Sequence, residues 1–87
     1  MATPQPVTVE VRVELKPGVE DPEGENVAKS LGLLGIDAIL SVRTAKVYRV
    51  TFSGLSEAEA NERAQRAVDR LLANPVVHRV SVTPQSG

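Results

Sequence analysis

Residues 7–16 constrain this chain more than any other stretch. Val7, Val9, Val11, Val13 and Leu15 alternate with Thr8, Glu10, Arg12, Glu14 and Lys16. A period of two sends successive side chains to opposite faces, and β-branched residues suit a pleated surface. The segment therefore predicts a strand with one buried face and one wet face. Lys16-Pro17-Gly18 then ends it with turn chemistry. The apolar face of such a strand needs a cover, and the rest of the chain supplies candidates.

Asp21-Pro22 carries the chemistry of a helix start, because Asp can accept from orphan amides and Pro tolerates the first helical position. Val27, Leu31 and Leu34 share one stripe at helical spacing, and Gly35 suits a C-terminal cap, which predicts a helix over 22–34. A second strand is expected at 38–43 and a third at 47–53, where Tyr48, Val50 and Phe52 alternate with Arg49 and Thr51. Only Thr44-Ala45-Lys46 separates these two, so an antiparallel hairpin is expected, although its turn contains no glycine. Ser56-Glu57-Ala58-Glu59 has the pattern of a capping box opening a second helix, which Asn74-Pro75 ends. Val76, His78, Val80 and Val82 alternate as a last strand.

The order β-α-β-β-α-β, with right-handed crossovers, predicts an α+β protein of the ferredoxin-like class. In that fold a four-stranded antiparallel sheet carries two helices on one face. The first and third strands lie inside; the second and fourth are edges. Residues 7–83 read as one domain, with 1–6 as a flexible leader and 84–87 as a tail.

With 41% hydrophobic and 24% charged residues, the 87-residue chain is globular in composition. A domain this small buries only about 60–65% of the surface of its unfolded chain. It contains no cysteine, so no disulfide can reinforce it and no thiolate can act as a nucleophile or ligand. An exposed sheet edge would gain from a second copy, and a homodimer or higher homo-oligomer is expected. The net charge of −1 and only two aromatic residues, Tyr48 and Phe52, argue against nucleic-acid binding. No apolar run approaches the roughly 20 residues of a membrane helix, and the N-terminus has neither the basic segment nor the apolar core of a signal peptide. A cytoplasmic location is expected, with no membrane partner.

Few residues invite chemistry. His78 is the sole histidine and lacks any neighbour at metal-ligand spacing. The acidic run Glu20-Asp21-Pro22-Glu23-Gly24-Glu25 lacks the spacing of a calcium loop and is explained by the dipole of a helix N-terminus. Gly24 is unfavourable inside a first helical turn, which points either to close approach by another backbone or chain or to a poorly formed turn. Arg63, Arg66 and Arg70 form a basic stripe, read as a solvated face paired with Glu59, Glu62 and Asp69, with a docking surface as the alternative. Arg43 and Lys46 flank the expected hairpin turn and could project together towards a partner or an anion.

Along residues 7–83 the chain resembles the PurS family, the small subunit of phosphoribosylformylglycinamidine synthase. The likeness rests on Leu15-Lys16-Pro17-Gly18-Val19, Asp21-Pro22-Glu23-Gly24, Leu31 and Leu34 with Gly35, Val42-Arg43 with Lys46, and Leu71-Leu72-Ala73-Asn74-Pro75-Val76-Val77. One departure is Ala45, where the family usually has glycine before the lysine. The resemblance implies a non-catalytic component of a three-part enzyme of de novo purine biosynthesis. A glutaminase subunit would release ammonia, and a large synthetase subunit would use ATP and Mg²⁺ to turn formylglycinamide ribonucleotide into formylglycinamidine ribonucleotide. The small subunit would bridge the two as a homodimer and bind no cofactor or metal itself. Lys16, Asp21, Gly24, Arg43 and Lys46 are the residues expected at its partner interfaces.

Two other classes share the strand and helix order. A small-molecule regulatory domain of the ACT type would bind an amino acid directly. An acylphosphatase-like enzyme would need a phosphate-binding loop and an Arg and Asn pair, which cannot be placed here.

Overall fold

A computed structural model describes residues 5–85. It contains three strands, β1 (Val7–Leu15), β2 (Ala45–Phe52) and β3 (His78–Gln85), and two helices, α1 (Pro22–Leu33) and α2 (Glu57–Ala67). The architecture is α+β. The sheet is antiparallel with the order β2-β1-β3, so the strictly alternating segment lies at its centre.

The alternation works as its period requires. Val9 and Val11 are fully buried and Val13 nearly so, under Ala60, Ala64 and Val68. Ala60 and Ala64 are one helical turn apart, and their small side chains let α2 lie close to the valines. Burying each valine contributes on the order of 1.5–2 kcal/mol. On the opposite face β1 presents Thr8, Glu10, Arg12 and Glu14. Arg79 donates to Glu14 at 2.9 Å, Gln85 donates to Glu10 at 2.9 Å, and the Thr8 and Thr51 hydroxyls lie 2.9 Å apart. Cross-strand pairs of this kind hold register more than they add stability.

Helix α2 opens with the expected capping box: Ser56 Oγ accepts from the Glu59 amide, and the Glu59 carboxylate accepts from the Ser56 amide. Beyond Ala67 the helix widens into a π-helical segment, Val68–Leu72, closed by the Ala73 amide on the Val68 carbonyl. The wider turn leaves Leu72 and Ala73 packed against the core. The chain then turns at Asn74, whose amide donates to His78 Nδ1 at 2.8 Å, while Asn74 Oδ1 accepts from the Val76 amide.

The expected second strand is corrected: residues 36–44 form no strand, and no 38–43/47–53 hairpin exists among the described residues. Reversing the chain there requires a turn, but Thr44 is held by Asp21 and β2 begins at the very next residue. With no turn residues left, 38–43 does not pair beside β2. The expected third and fourth strands thus become the two edges, β2 and β3, around β1. The last strand is also shifted: it starts at His78 and continues through Pro84 and Gln85, part of the expected tail. Residues 1–4 of the expected leader and 86–87 of the tail lie outside the described residues.

Helix α1 and the returning segment therefore form an arm. The radius of gyration is 17.2 Å, against about 12 Å for a compact chain of this length, and the longest dimension is 59 Å. Helix α2 packs on β1 and β3, whereas α1 has no extensive packing with the sheet or with α2.

Candidate functional site

The richest polar cluster lies at the root of the arm. Asp21 is 3% exposed and caps α1 by accepting the Gly24 amide at 2.9 Å on Oδ1. Its other oxygen accepts the Thr44 amide at 2.7 Å and the Thr44 hydroxyl at 2.8 Å. The Thr44 amide, then the Gly24 amide and the Thr44 hydroxyl, hold the carboxyl below its ordinary value of 3.8; desolvation by burial opposes them and Arg43 adds to them.

Arg43 faces the other way across the same junction. Its guanidinium donates to the Val19 carbonyl at 2.7 Å, the Lys16 carbonyl at 3.2 Å and the Leu15 carbonyl at 3.5 Å. Two adjacent residues, Arg43 and Thr44, thus tie the returning chain to the loop that leaves β1. Gly24 completes the junction. A Cβ there would overlap the Val42 carbonyl oxygen, so close approach by another backbone explains this glycine.

Of the five expected interface residues, the structure gathers Lys16, Asp21, Gly24 and Arg43 within this one junction. Lys16 and Arg43 are exposed, whereas Asp21 and Gly24 are buried. Lys46 is exposed on β2, with Nζ 5.9 Å from the Tyr48 ring centroid. A cavity of about 330 Å³ lies alongside, lined by Leu15, Asp21, Thr44, Lys46, Tyr48 and His78 among others. Thr44 is the residue that sequence reasoning missed; a threonine between Arg43 and Ala45 gives no periodic or motif signal.

His78 and Arg66 have partners within the chain. His78 Nδ1 accepts a backbone amide, which fixes the turn before β3. Arg66 reaches Glu62 at 3.9 Å with both side chains exposed, and Glu59 is held below its ordinary value first by the Ser56 amide and hydroxyl, then by Arg63. Among the described residues no three His, Asp or Glu side chains cluster at metal-binding distance, and no helix is long and apolar enough to cross a membrane.

The family model of PurS, described as phosphoribosylformylglycinamidine (FGAM) synthase, matches residues 8–86. The chain belongs to the PurS family. The PurS subunit of phosphoribosylformylglycinamidine synthase from Archaeoglobus fulgidus is 42% identical over 73 residues, covering 84% of this chain and 91% of that one. The crystal structure of Methanocaldococcus jannaschii PurS, one of the subunits of formylglycinamide ribonucleotide amidotransferase in the purine biosynthetic pathway, superposes with a TM-score of 0.80. It is 29% identical, covering 91% of this chain and 95% of that one. A chain of the Thermotoga maritima PurLQS structure has the same fold at a TM-score of 0.80 and 23% identity, covering 93% and 99%. As a PurS chain, this protein is a small subunit of FGAM synthase in purine biosynthesis, and the enzyme is the complex.

Proposed function

We propose that this chain is the coupling subunit of its complex, seated between a glutaminase and a large synthetase so that glutamine-derived ammonia reaches formylglycinamide ribonucleotide. The synthetase would use ATP and Mg²⁺ to activate the amide oxygen, which ammonia displaces to give formylglycinamidine ribonucleotide. The observation that carries this reading is how the junction uses its polar groups. Asp21 and Arg43, the most densely bonded ionisable residues, act on backbone amides and carbonyls of their own chain. They shape a surface and have no arrangement suited to bond making.

On this reading the exposed charges Lys16, Arg43 and Lys46, set in place by Asp21 and Gly24, face a partner subunit in a cytoplasmic complex. The chain acts as one domain, and its sheet is completed to the ferredoxin-like four strands only in the assembled state.

The test is glutamine-dependent synthesis of formylglycinamidine ribonucleotide by the glutaminase and synthetase, with and without this chain, with free ammonia as the control. Restoration of the glutamine-driven reaction alone is expected. Equal glutamine-driven turnover without the chain refutes the coupling role. A Lys16→Glu/Lys46→Glu variant is expected to weaken assembly of the three components; unchanged assembly would remove this surface from the interface.

A further inference from the structure

The connection from α2 to β3 holds a second cavity, which the junction does not use. It measures about 410 Å³ and lies between the two layers of the molecule: Gln65, Val68, Asp69 and Ala73 line it from the helix side, His78 and Val80 from β3. That volume falls within the roughly 300–1,000 Å³ typical of small-molecule sites. The cavity stands apart from the free edge of β2, because β3 is the opposite edge of the sheet.

The π-helical segment makes the helix wall of this slot. In an α-helix, Val68 and Ala73 are five residues apart and would point about 140° away from each other. The bond from the Ala73 amide to the Val68 carbonyl closes a wider turn, which stacks the two on one side. Widened turns of this kind occur frequently at functional sites. Val68 is buried, and Ala73 and Val80 are half-buried, so the slot has an apolar interior.

Three polar side chains at the slot have unspent hydrogen-bonding capacity. Gln65 and Asp69 are exposed, and neither makes a side-chain hydrogen bond or ion pair among the described residues. His78 Nδ1 accepts the Asn74 amide, so the ring carries its proton on Nε2, a donor with no partner among the described residues. The lining thus offers an imidazole donor, a carboxylate acceptor and a carboxamide that does both. No Lys or Arg lines it, so a phosphate placed inside would meet only the Asp69 carboxylate. An apolar slot between two layers, with donor and acceptor groups along it, suits a flat heterocycle whose edge carries both as well. In a subunit of purine biosynthesis, the heterocycle of that description is a purine. We propose that the slot between the π-helical segment and β3 binds a purine base, presented as its nucleoside. The site goes beyond the coupling role and does not depend on it.

The experiment titrates the ¹⁵N-labelled full chain with adenosine, guanosine and cytidine and follows its amide spectrum. At least one purine nucleoside is expected to give saturable shifts centred on residues 65–73 and 78–80, with a dissociation constant below about 1 mM. Cytidine is expected to bind about tenfold more weakly or not at all. Asp69→Ala, which removes a side chain without a partner in the chain, should keep a folded spectrum and raise the dissociation constant about tenfold; Gln65→Ala should raise it about threefold. No saturable shift with either purine nucleoside, shifts centred elsewhere, equal binding of cytidine, or unchanged affinity in Asp69→Ala would each overturn the site. Nucleoside binding is read on this chain alone, so its failure leaves glutamine-dependent turnover, and with it the coupling role, to be decided separately.

Discussion

Asp21 and Thr44, 23 residues apart, are joined twice through one carboxylate oxygen, by the Thr44 amide at 2.7 Å and its hydroxyl at 2.8 Å. This pair decides the path of everything between them. It brings the chain back to the base of the sheet at the residue before β2, which removes the room for a hairpin turn and leaves α1 with residues 36–43 projecting as an arm. A neutral side chain cannot replace the carboxylate fully. An amide in its place offers one acceptor oxygen and turns an NH₂ group towards a neighbouring donor.

Asp21→Asn is therefore expected to loosen the junction first. Hydrogen exchange at the amides of residues 24 and 44 should accelerate in the variant while the core amides of β1 remain protected. Equal protection at both amides would mean that the clasp does not hold the arm.

The same carboxyl gives stability an acid limit. Its native titration lies below the ordinary 3.8, so the unfolded state binds the proton more readily. The contribution is complete above that ordinary value and is lost as pH falls through the depressed native one. Tm measured between pH 2 and 6 should fall more steeply for the wild type than for Asp21→Asn, with the two curves converging in acid.

Gly24→Ala is expected to destabilise by about 1–3 kcal/mol, because the added methyl overlaps the Val42 carbonyl and neither backbone can withdraw without breaking the clasp. Chemical denaturation with an unchanged m-value checks this. A neutral substitution would show that the approach of the two backbones is adjustable.

Ala38 has φ 63°, the left-handed region in which a side chain with a Cβ is disfavoured by about 1–2 kcal/mol. Ala38→Gly should raise stability by up to about 1 kcal/mol, and Gly35→Ala, at φ 86°, should lower it by a similar amount. Thermal melts of the two variants should move in opposite directions.

At the second helix, Ser56→Ala removes the acceptor for the Glu59 amide and should cost about 1 kcal/mol. Loss of helical signal confined to residues 57–60 in chemical-shift data would place the effect at that helix end.

The legible parts of this protein were those governed by local periodicity and end chemistry. The alternation of residues 7–16 set the central strand and its buried face; Asp21-Pro22 and Ser56-x-x-Glu59 set both helix starts. The residues of the PurS likeness also sat in the sequence, because a family pattern is itself a property of sequence. What the residues alone did not determine was direction. A strand pattern at 38–43 is satisfied equally by pairing in its own chain or by waiting for another edge, and propensity does not distinguish the two. Only the tertiary structure decided, through hydrogen bonds between Asp21 and Thr44 and from Arg43 to three carbonyls across the same junction. These contacts join residues far apart in sequence, so no window of local sequence contains both partners, and the arm's course follows from geometry rather than from pattern.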